Sequence, residues 1–212
     1  MTAQEKMSRA FAGLPLIAIL RGLHPDEATA IGAALVEACF LMIEVPLNSP
    51  QPLQSIAALA ARFPQALVGA GTVLTAQDVG EVKAAGGQLV VAPNFNPAVV
   101  REAVRLGMVC LPGVLSASEA FAALEAGAHG LKLFPAEMIP PSAVKALRAV
   151  IPNGVALLPV GGIGTHDMAA YRAAGASGFG IGSALFKPGQ DAVQVGSNAR
   201  AFAAAWAGTI RA

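Results

Sequence analysis

The chain has 212 residues, a mass of 21.3 kDa and a formal net charge of +1 from 14 basic and 13 acidic residues. Because 55% of the residues are hydrophobic and only 13% are charged, the composition excludes intrinsic disorder. Lys and Arg form no cluster, which argues against a nucleic-acid or acidic-membrane surface. Mean hydropathy is +0.59, but no run of about 18 apolar residues escapes Gly, Pro or a charge, so no spanning helix is expected.

The N-terminal segment and the cysteines bear on the cell compartment. Residues 1–11 are polar and lack the apolar core of a signal peptide, and a short helix is predicted here. Cys39 and Cys110 lie outside any metal-ligand spacing, so we expect both to be buried free thiols in a reducing compartment. These features predict a cytoplasmic protein.

Eight short apolar runs alternate with Ala-rich helical stretches along the chain. The runs are mostly continuous, which is typical of parallel strands buried on both faces. The predicted strands are 16–20, 41–45, 67–70, 89–92, 108–111, 130–134, 155–160 and 178–181. The predicted helices are 25–38, 51–63, 75–85, 97–106, 117–126, 142–150, 165–174 and 191–207, with Thr75 and Thr165 as N-caps of two of them.

Four glycines mark the recurrence of this βα unit. Gly86, Gly107, Gly127 and Gly175 each precede a predicted strand, where a helix commonly ends in a residue with positive φ. A unit of about 20–25 residues that recurs eight times predicts an α/β fold, a single (β/α)8 TIM barrel over 1–212 with an extra N-terminal helix. The alternative is a doubly wound open sheet, but this chain lacks the G-x-G-x-x-G turn that such a sheet usually carries after its first strand.

Two charged residues lie inside predicted apolar strands. Lys132 is flanked by Leu131 and Leu133, and alternation along the strand points it into the barrel if the leucines face the helices. Burial lowers the pKa of a lysine and leaves the free amine that a Schiff base requires. Glu44 is the corresponding acid in the second strand, and can act as a proton shuttle. A purely structural ion pair between them is the alternative.

The carboxyl ends of the strands carry candidate anion-binding groups. Arg21 closes the first strand at the edge that forms the active face of a barrel, and can hold a carboxylate or phosphate by two hydrogen bonds. The glycine-rich turns after strands seven and eight contain Gly161 and Gly162, and Gly182 and Ser183. Two such turns at these strands predict a phosphate monoester site, because glycine lets backbone N–H groups approach an anion.

Three further strand ends could line the same mouth. Thr72 follows the third strand, Asn48 the second and Pro93 the fourth, and for each a plain turn competes with a ligand contact. Among the histidines, His129 is expected to be structural and His166 exposed, whereas His24 lies on the active side. No His, Asp or Glu cluster has metal-ligand spacing, so neither a metal nor another cofactor is predicted.

Four segments occur in order at the predicted strand ends. They are Glu44, Gly-Ala-Gly-Thr-Val-Leu at 69–74, Leu-Lys-Leu-Phe-Pro-Ala-Glu at 131–137 and Val-Gly-Gly at 160–162. The chain thereby resembles the class I 2-keto-3-deoxy-6-phosphogluconate/6-phosphogalactonate aldolases from about residue 14 to residue 186.

The resemblance implies a homotrimer without a metal that cleaves a phosphorylated keto-deoxy sugar acid to pyruvate and glyceraldehyde 3-phosphate. It implies that Lys132 forms the Schiff base, that Glu44 is the acid/base residue, and that Arg21, Thr72 and Pro93 contact the carboxylate end of the substrate. The phosphate would bind Gly161, Gly162, Gly182 and Ser183. Apolar helices and Trp206 near the C-terminus are compatible with a subunit interface.

Two departures within the family bear on the substrate. The phosphogluconate branch has Thr-Leu-Arg-Thr after the glutamate of strand two, whereas this chain has Asn48 in place of that arginine, which leaves Arg21 as the carboxylate candidate. That branch also has Thr before Gly-Gly, where this chain has Val160, and valine cannot bond a C4 hydroxyl. Both features resemble the phosphogalactonate branch.

Other functions remain as alternatives. An aldolase for the gluconate epimer shares the chemistry. A phosphosugar isomerase or epimerase would use acid/base residues without a covalent lysine. A sugar-phosphate-binding barrel would keep Lys132 and Glu44 as a core ion pair and release no pyruvate.

Overall fold

Parallel strands alternate with α-helices throughout residues 1–209, the part of the chain that the computed structural model describes. The strands are β1 (Leu16–Ile19), β2 (Met42–Pro46), β3 (Leu67–Gly71), β4 (Leu89–Val91), β5 (Val109–Leu111), β6 (Gly113–Val114), β7 (Gly130–Leu133), β8 (Ala156–Pro159) and β9 (Phe179–Ile181). The helices are α1 (Ala3–Gly13), α2 (Pro25–Glu37), α3 (Pro52–Arg62), α4 (Ala76–Ala84), α5 (Pro97–Arg105), α6 (Ala117–Glu125), α7 (Pro141–Arg148), α8 (Met168–Ala173) and α9 (Ala192–Gly208).

Each predicted strand and helix has a counterpart within a few residues, and two differences stand out. The fifth predicted strand, 108–111, is followed beyond Pro112 by a further short strand, β6, in which Gly113 pairs with Lys132. Helix α8 begins three residues later than predicted, and Thr165 is not its N-cap. Instead Asp167 precedes α8, and its carboxylate accepts a hydrogen bond of 2.8 Å from the Gly164 N–H. The Thr75 cap of α4 is confirmed.

The strands form one curled parallel sheet system. A six-stranded sheet has the order β5-β4-β3-β2-β1-β9, and a three-stranded sheet has the order β6-β7-β8. A parallel bridge between Val160 and Gly180 joins β8 to β9, and the His129 N–H donates to the Cys110 carbonyl at 3.0 Å between β5 and β7. All carboxyl ends therefore lie on one edge, as the candidate site requires.

Two buried layers confirm the predicted directions of the side chains. Ile43, Val45, Leu131 and Leu133 belong to the layer between strands and helices. The second layer lies on the inner face of the strands and includes Ile17, Met42, Leu67, Leu89, Val109, Leu111 and Leu158. Helix α1 contributes Ala3 and Ala10 to this inner layer, so it covers the amino-terminal end of the sheet.

Two expectations about individual side chains need correction. Cys110 is buried and free, but Cys39 is exposed, because it follows α2 with φ of 67° at a position that more often holds glycine. Trp206 is only 7% exposed, so it packs within its own chain, against Phe179 and Arg172, and does not offer a surface for another subunit.

In the described part of the chain, no helix is long and apolar enough to cross a membrane.

Candidate active site

A cavity of about 270 Å³ opens at the carboxyl ends of the strands. It collects residues from segments that are far apart in the sequence. Ten of the eleven predicted site residues line it: Arg21, Glu44, Thr72, Pro93, Lys132, Val160, Gly161, Gly162, Gly182 and Ser183. The predicted strand ends therefore meet around one cavity.

Lys132 and Glu44 share the cavity without forming an ion pair. Lys132 is 7% exposed and Glu44 is 2% exposed, and within residues 1–209 no N–O distance of 4.0 Å or less joins them. The Lys132 Nζ instead lies 4.4 Å from the centroid of the Phe134 ring. The Glu44 Oε2 is buried without a hydrogen-bond partner among the described residues. The two groups thus face a common space and do not neutralise each other by direct contact.

Burial shifts the pKa of both groups toward their neutral forms. Desolvation raises the pKa of the Glu44 carboxyl to about 7, although the positive charges of Lys132 and Arg21 act in the opposite direction. Desolvation lowers the pKa of the Lys132 ammonium, while Glu44 opposes this shift and Arg21 adds to it. The lowered pKa of Lys132 favours its nucleophilic amine form, and a carboxyl with a pKa of about 7 can exchange protons near neutral pH.

The glycines of β3 make room for the Glu44 side chain. Glu44 pairs with Gly69 in the β2–β3 register, and Pro46 pairs with Gly71. A Cβ atom at Gly71 would overlap the Glu44 carboxylate. Because Ala70 points to the helix layer, the inner face of β3 beside Glu44 carries no side chain at these two positions.

Arg21 and Asn48 lie together at the rim. The Arg21 Nη1 donates a hydrogen bond of 2.5 Å to the Asn48 Oδ1, and both residues follow neighbouring strands, β1 and β2. Asn48 itself does not line the cavity, which differs from its predicted place among the site residues. Its contact with the guanidinium nevertheless orients Arg21 toward the mouth that Arg21 lines.

The two glycine-rich turns present backbone donors to the cavity. Within residues 1–209, the N–H groups of Gly162, Gly182 and Ser183 have no hydrogen-bond acceptor. Gly161 and Gly162 have φ of 114° and 63°, which an L-side chain rarely adopts, and this conformation shapes the turn. Unpaired N–H groups around a polar cavity form a concave site suited to an anion.

Thr72 and Pro93 complete the opposite wall. Thr72 has φ of 56°, an unfavourable backbone conformation for a β-branched residue, and it lines the cavity directly after β3. Such local strain concentrates at functional sites. Pro93 follows β4 and packs its carbonyl against Gly113, where a Cβ atom would overlap it.

The sequence reasoning missed several wall residues. Phe134 lies beneath the Lys132 amine, and Ile19 and Gly180 complete the floor near Val160. Phe134 is two residues beyond Lys132, so strand alternation could have identified it. Gly180 carries no side chain to signal its role, and a Cβ atom there would lie 2.8 Å from the Val160 Cγ2.

The three histidines lie outside the cavity. His129 accepts a hydrogen bond of 3.2 Å from the Cys110 N–H through Nδ1, as expected for a structural residue. His166 is 84% exposed at its side chain, as expected, and His24 precedes α2 without lining the cavity. Among residues 1–209 no group of three or more His, Cys, Asp or Glu side chains is arranged to hold a metal ion.

A buried lysine and a buried glutamate share a cavity with unpaired backbone N–H groups at the carboxyl edge of parallel strands, an arrangement that suits a lyase with an amine nucleophile. The sequence profile described as "KDPG and KHG aldolase" matches residues 7–201. The chain belongs to this aldolase family, and it is a lyase.

Two named relatives and one solved structure show which members of this family the chain is similar to. The chain is 49% identical over 193 residues to a Rhizobium meliloti (strain 1021) protein named "Probable 2-dehydro-3-deoxy-6-phosphogalactonate aldolase", with 91% of each chain covered. It is 46% identical over 194 residues to the Escherichia coli (strain K12) protein named "2-dehydro-3-deoxy-6-phosphogalactonate aldolase", with 91% of this chain and 95% of that protein covered. A solved structure described as "Native KDPGal structure" superposes with a TM-score of 0.92 at 45% identity, and 94% of this chain and 97% of that chain are covered.

Proposed function

We propose that this chain is a Schiff-base aldolase that cleaves 2-dehydro-3-deoxy-6-phospho-D-galactonate to pyruvate and D-glyceraldehyde 3-phosphate. The observation that carries the proposal is the pair of buried groups, Lys132 and Glu44, which face one cavity without an ion pair. The names of the relatives at 46–49% identity support the galacto substrate.

Lys132 begins the reaction as the nucleophile. Its neutral amine attacks the C2 ketone of the substrate, and loss of water gives an iminium that accepts electrons. The Glu44 carboxylate takes the proton of the C4 hydroxyl, directly or through a water. The C3–C4 bond then breaks, its electron pair flows into the iminium, and glyceraldehyde 3-phosphate leaves.

Glu44 completes the cycle as an acid. Its carboxyl returns the proton to C3 of the enamine, which regenerates the iminium of pyruvate. Water adds to C2, the C–N bond breaks, and pyruvate leaves with Lys132 restored as a free amine. A carboxyl with a pKa near 7 suits a group that must both accept and donate a proton.

The two ends of the substrate bind different parts of the cavity. Arg21, oriented by Asn48, holds the carboxylate beside Thr72 and the backbone of Pro93. At the other end the phosphate accepts hydrogen bonds from the cradle formed by Gly161, Gly162, Gly182 and Ser183. Binding of the remote phosphate positions the reacting carbons beside Lys132.

Val160 and Asn48 set the preference for the galacto epimer. The Val160 side chain fills the space above Gly180 and offers no hydrogen-bonding group to a C4 hydroxyl. Asn48 stands where the phosphogluconate branch has an arginine, and its contact with Arg21 lets that residue hold the carboxylate in its place.

We further propose how the molecule is assembled. The bridge at Val160 and the contact between β5 and β7 support closure of the strands into a single (β/α)8 barrel, with α1 as an addition at its amino-terminal end. Exposed large apolar side chains, among them Phe121 and Met138, support a homotrimer. We assign this trimer to the cytoplasm.

Pyruvate release from each purified epimer tests the proposed function. We expect faster release from the 6-phosphogalactonate substrate, and irreversible inactivation by borohydride only when substrate is present, with the label on a peptide that contains Lys132. Lys132→Ala should lower turnover at least about 1,000-fold. The matched control is Lys187→Ala, since Lys187 is exposed and lies outside the cavity.

The other outcomes identify the alternatives. Faster release from the gluconate epimer would reverse the substrate assignment but keep the mechanism. Isomerisation of a phosphosugar without trapping would identify an isomerase or epimerase. Binding of substrate without either reaction would leave Lys132 and Glu44 as structural groups.

A further inference from the structure

The position of the Lys132 amine depends on the loop that follows its strand. Nζ lies 4.4 Å from the centroid of the Phe134 ring, and among residues 1–209 it donates no hydrogen bond to a side chain or carbonyl. Phe134 begins the loop 134–139, which includes the 3₁₀ turn Ala136–Met138. Any shift of this loop therefore moves the surface on which the amine rests.

A buried tyrosine hydroxyl forms hydrogen bonds to two backbone carbonyls of this loop. The Tyr171 Oη lies 3.1 Å from the Ala136 carbonyl and 3.1 Å from the Ile139 carbonyl, so one hydroxyl proton is shared by two acceptors. Tyr171 is 8% exposed. Burial, with the Asp167 and Glu137 carboxylates nearby, raises the pKa of this hydroxyl, which remains a donor at neutral pH.

The same helix also contacts the phosphate end of the cavity. Tyr171 lies in α8, and Asp167, directly before α8, accepts a hydrogen bond from the Gly164 N–H. The ring of Tyr171 packs edge-on against Phe179, with 6.2 Å between centroids. The loop is tied to the neighbouring turn as well, because the Ala136 N–H donates to the Val160 carbonyl at 2.9 Å.

We infer that Tyr171 is a positioning residue for catalysis, which acts on Lys132 through the loop 134–139 and the Phe134 ring. The inference rests on the proposed role of Lys132 as the nucleophile. Packing alone does not require the hydroxyl, because phenylalanine would fill the same space beside Phe179. The hydroxyl is the group that fixes the two loop carbonyls.

Tyr171→Phe tests the inference while keeping the aromatic ring. We expect kcat to fall about 3- to 10-fold, the effect of one lost hydrogen bond, with less than about a twofold change in KM. The rate at which borohydride traps pyruvate on Lys132 should fall by the same factor, because pyruvate carries no phosphate and reports the lysine alone. Trp206→Phe is the control, since it alters the same aromatic cluster without touching the loop.

A double-mutant cycle with Phe134→Leu identifies the route. If Tyr171 acts through Phe134, Phe134→Leu alone lowers kcat at least as much, and adding Tyr171→Phe produces no further loss. Fully additive losses, or a wild-type kcat in Phe134→Leu, would overturn the inference.

Three further outcomes separate this inference from the proposed function. A lower melting temperature in Tyr171→Phe with unchanged kcat and trapping rate would make the hydroxyl purely structural. Absence of trapping on Lys132 in the wild-type protein would overturn the proposed function itself. Normal wild-type trapping with an unaffected Tyr171→Phe would overturn only the role of Tyr171.

Discussion

The Glu44 carboxyl illustrates how much of the chemistry is decided by the surroundings of one residue. An exposed glutamate is ionised at neutral pH, but Glu44 is 2% exposed and one of its oxygens has no partner among the described residues. Desolvation outweighs the attraction of Lys132 and Arg21, so the pKa of the carboxyl rises to about 7. The residue is thereby suited to take and return a proton within one cycle.

We expect the pH profile to report this residue. Only the carboxylate form of Glu44 can take a proton, so kcat/KM should increase with pH and reach half its maximum at about pH 7. Below about pH 6 it should fall about tenfold for each pH unit. Glu44→Gln should lower kcat at least about 100-fold and remove the limb near pH 7, and any remaining limb then belongs to Lys132. Glu125→Gln, at an exposed site, should keep the wild-type profile. An unchanged midpoint in Glu44→Gln would contradict the assignment.

We expect Val160 to control the preference between epimers. Val160→Thr keeps the shape of the side chain and adds a hydroxyl at the cavity wall beside Gly180. The ratio of kcat/KM for the gluconate epimer to that for the galacto epimer should rise about 3- to 10-fold, the value of one hydrogen bond. Steady-state pyruvate release with both substrates measures it. Val193→Thr, on the exposed surface, serves as the control, and an unchanged ratio in Val160→Thr would remove Val160 from the specificity residues.

The glycines of strand β3 are likewise explained by the residues that surround them in the fold. Its sequence, Leu-Val-Gly-Ala-Gly, places Ala70 toward the helices and two glycines beside Glu44. The glycines weaken the strand by themselves, since they add no packing. They are explained by the close approach of the Glu44 carboxylate, which occupies the space where a Gly71 side chain would lie.

Gly71→Ala should therefore impair activity more than stability. The added methyl group displaces the Glu44 carboxylate, and we expect kcat to fall at least about tenfold because the proton shuttle is misplaced. Gly80→Ala is the matched control, because Gly80 lies within α4 with open space around it. That control should raise the free energy of unfolding by about 0.5–1 kcal/mol and leave kcat unchanged. Equal kcat values for Gly71→Ala and the wild type would contradict the packing argument.

At the scale of the whole molecule, α1 closes the end of the sheet that faces away from the cavity. Ala3 and Ala10 pack against the inner side chains of the strands, and the Gln4 amide lies 2.9 Å from the His129 Nε2. This helix contributes no residue to the cavity, but it packs against the inner side chains of the strands that carry the site residues.

We expect Ala10→Asp to destabilise the fold without a direct effect on the chemistry. A carboxylate at this buried position has no partner, so the free energy of unfolding should fall by about 2–4 kcal/mol. Thermal and urea denaturation measure the change, and kcat of the folded fraction should stay near wild type. Ser8→Asp, on the exposed side of the same helix, should be nearly neutral. A neutral Ala10→Asp would mean that α1 does not seal the inner layer.

The order of the elements and the two inward-facing charges, Lys132 and Glu44, could be predicted from local sequence pattern. Continuous apolar runs gave the strands, and alternation within them predicted that Lys132 and Glu44 point inward, as both do. These inferences succeeded because the direction of a strand side chain depends on its immediate neighbours. Local pattern also located the glycine-rich turns that line the cavity.

The contacts of these residues could not be predicted in this way, because they form between segments that are distant in the chain. Three features depend on distances between distant segments. They are the absence of an ion pair between Lys132 and Glu44, the hydrogen bond from Arg21 to Asn48, and the hydrogen bonds from Tyr171 to the loop 134–139. The exposure of Cys39 and the burial of Trp206 were likewise set by packing, which composition does not encode. Because the pKa of a group follows from its solvation and its neighbours, the functional state of Glu44 exists only in the folded chain.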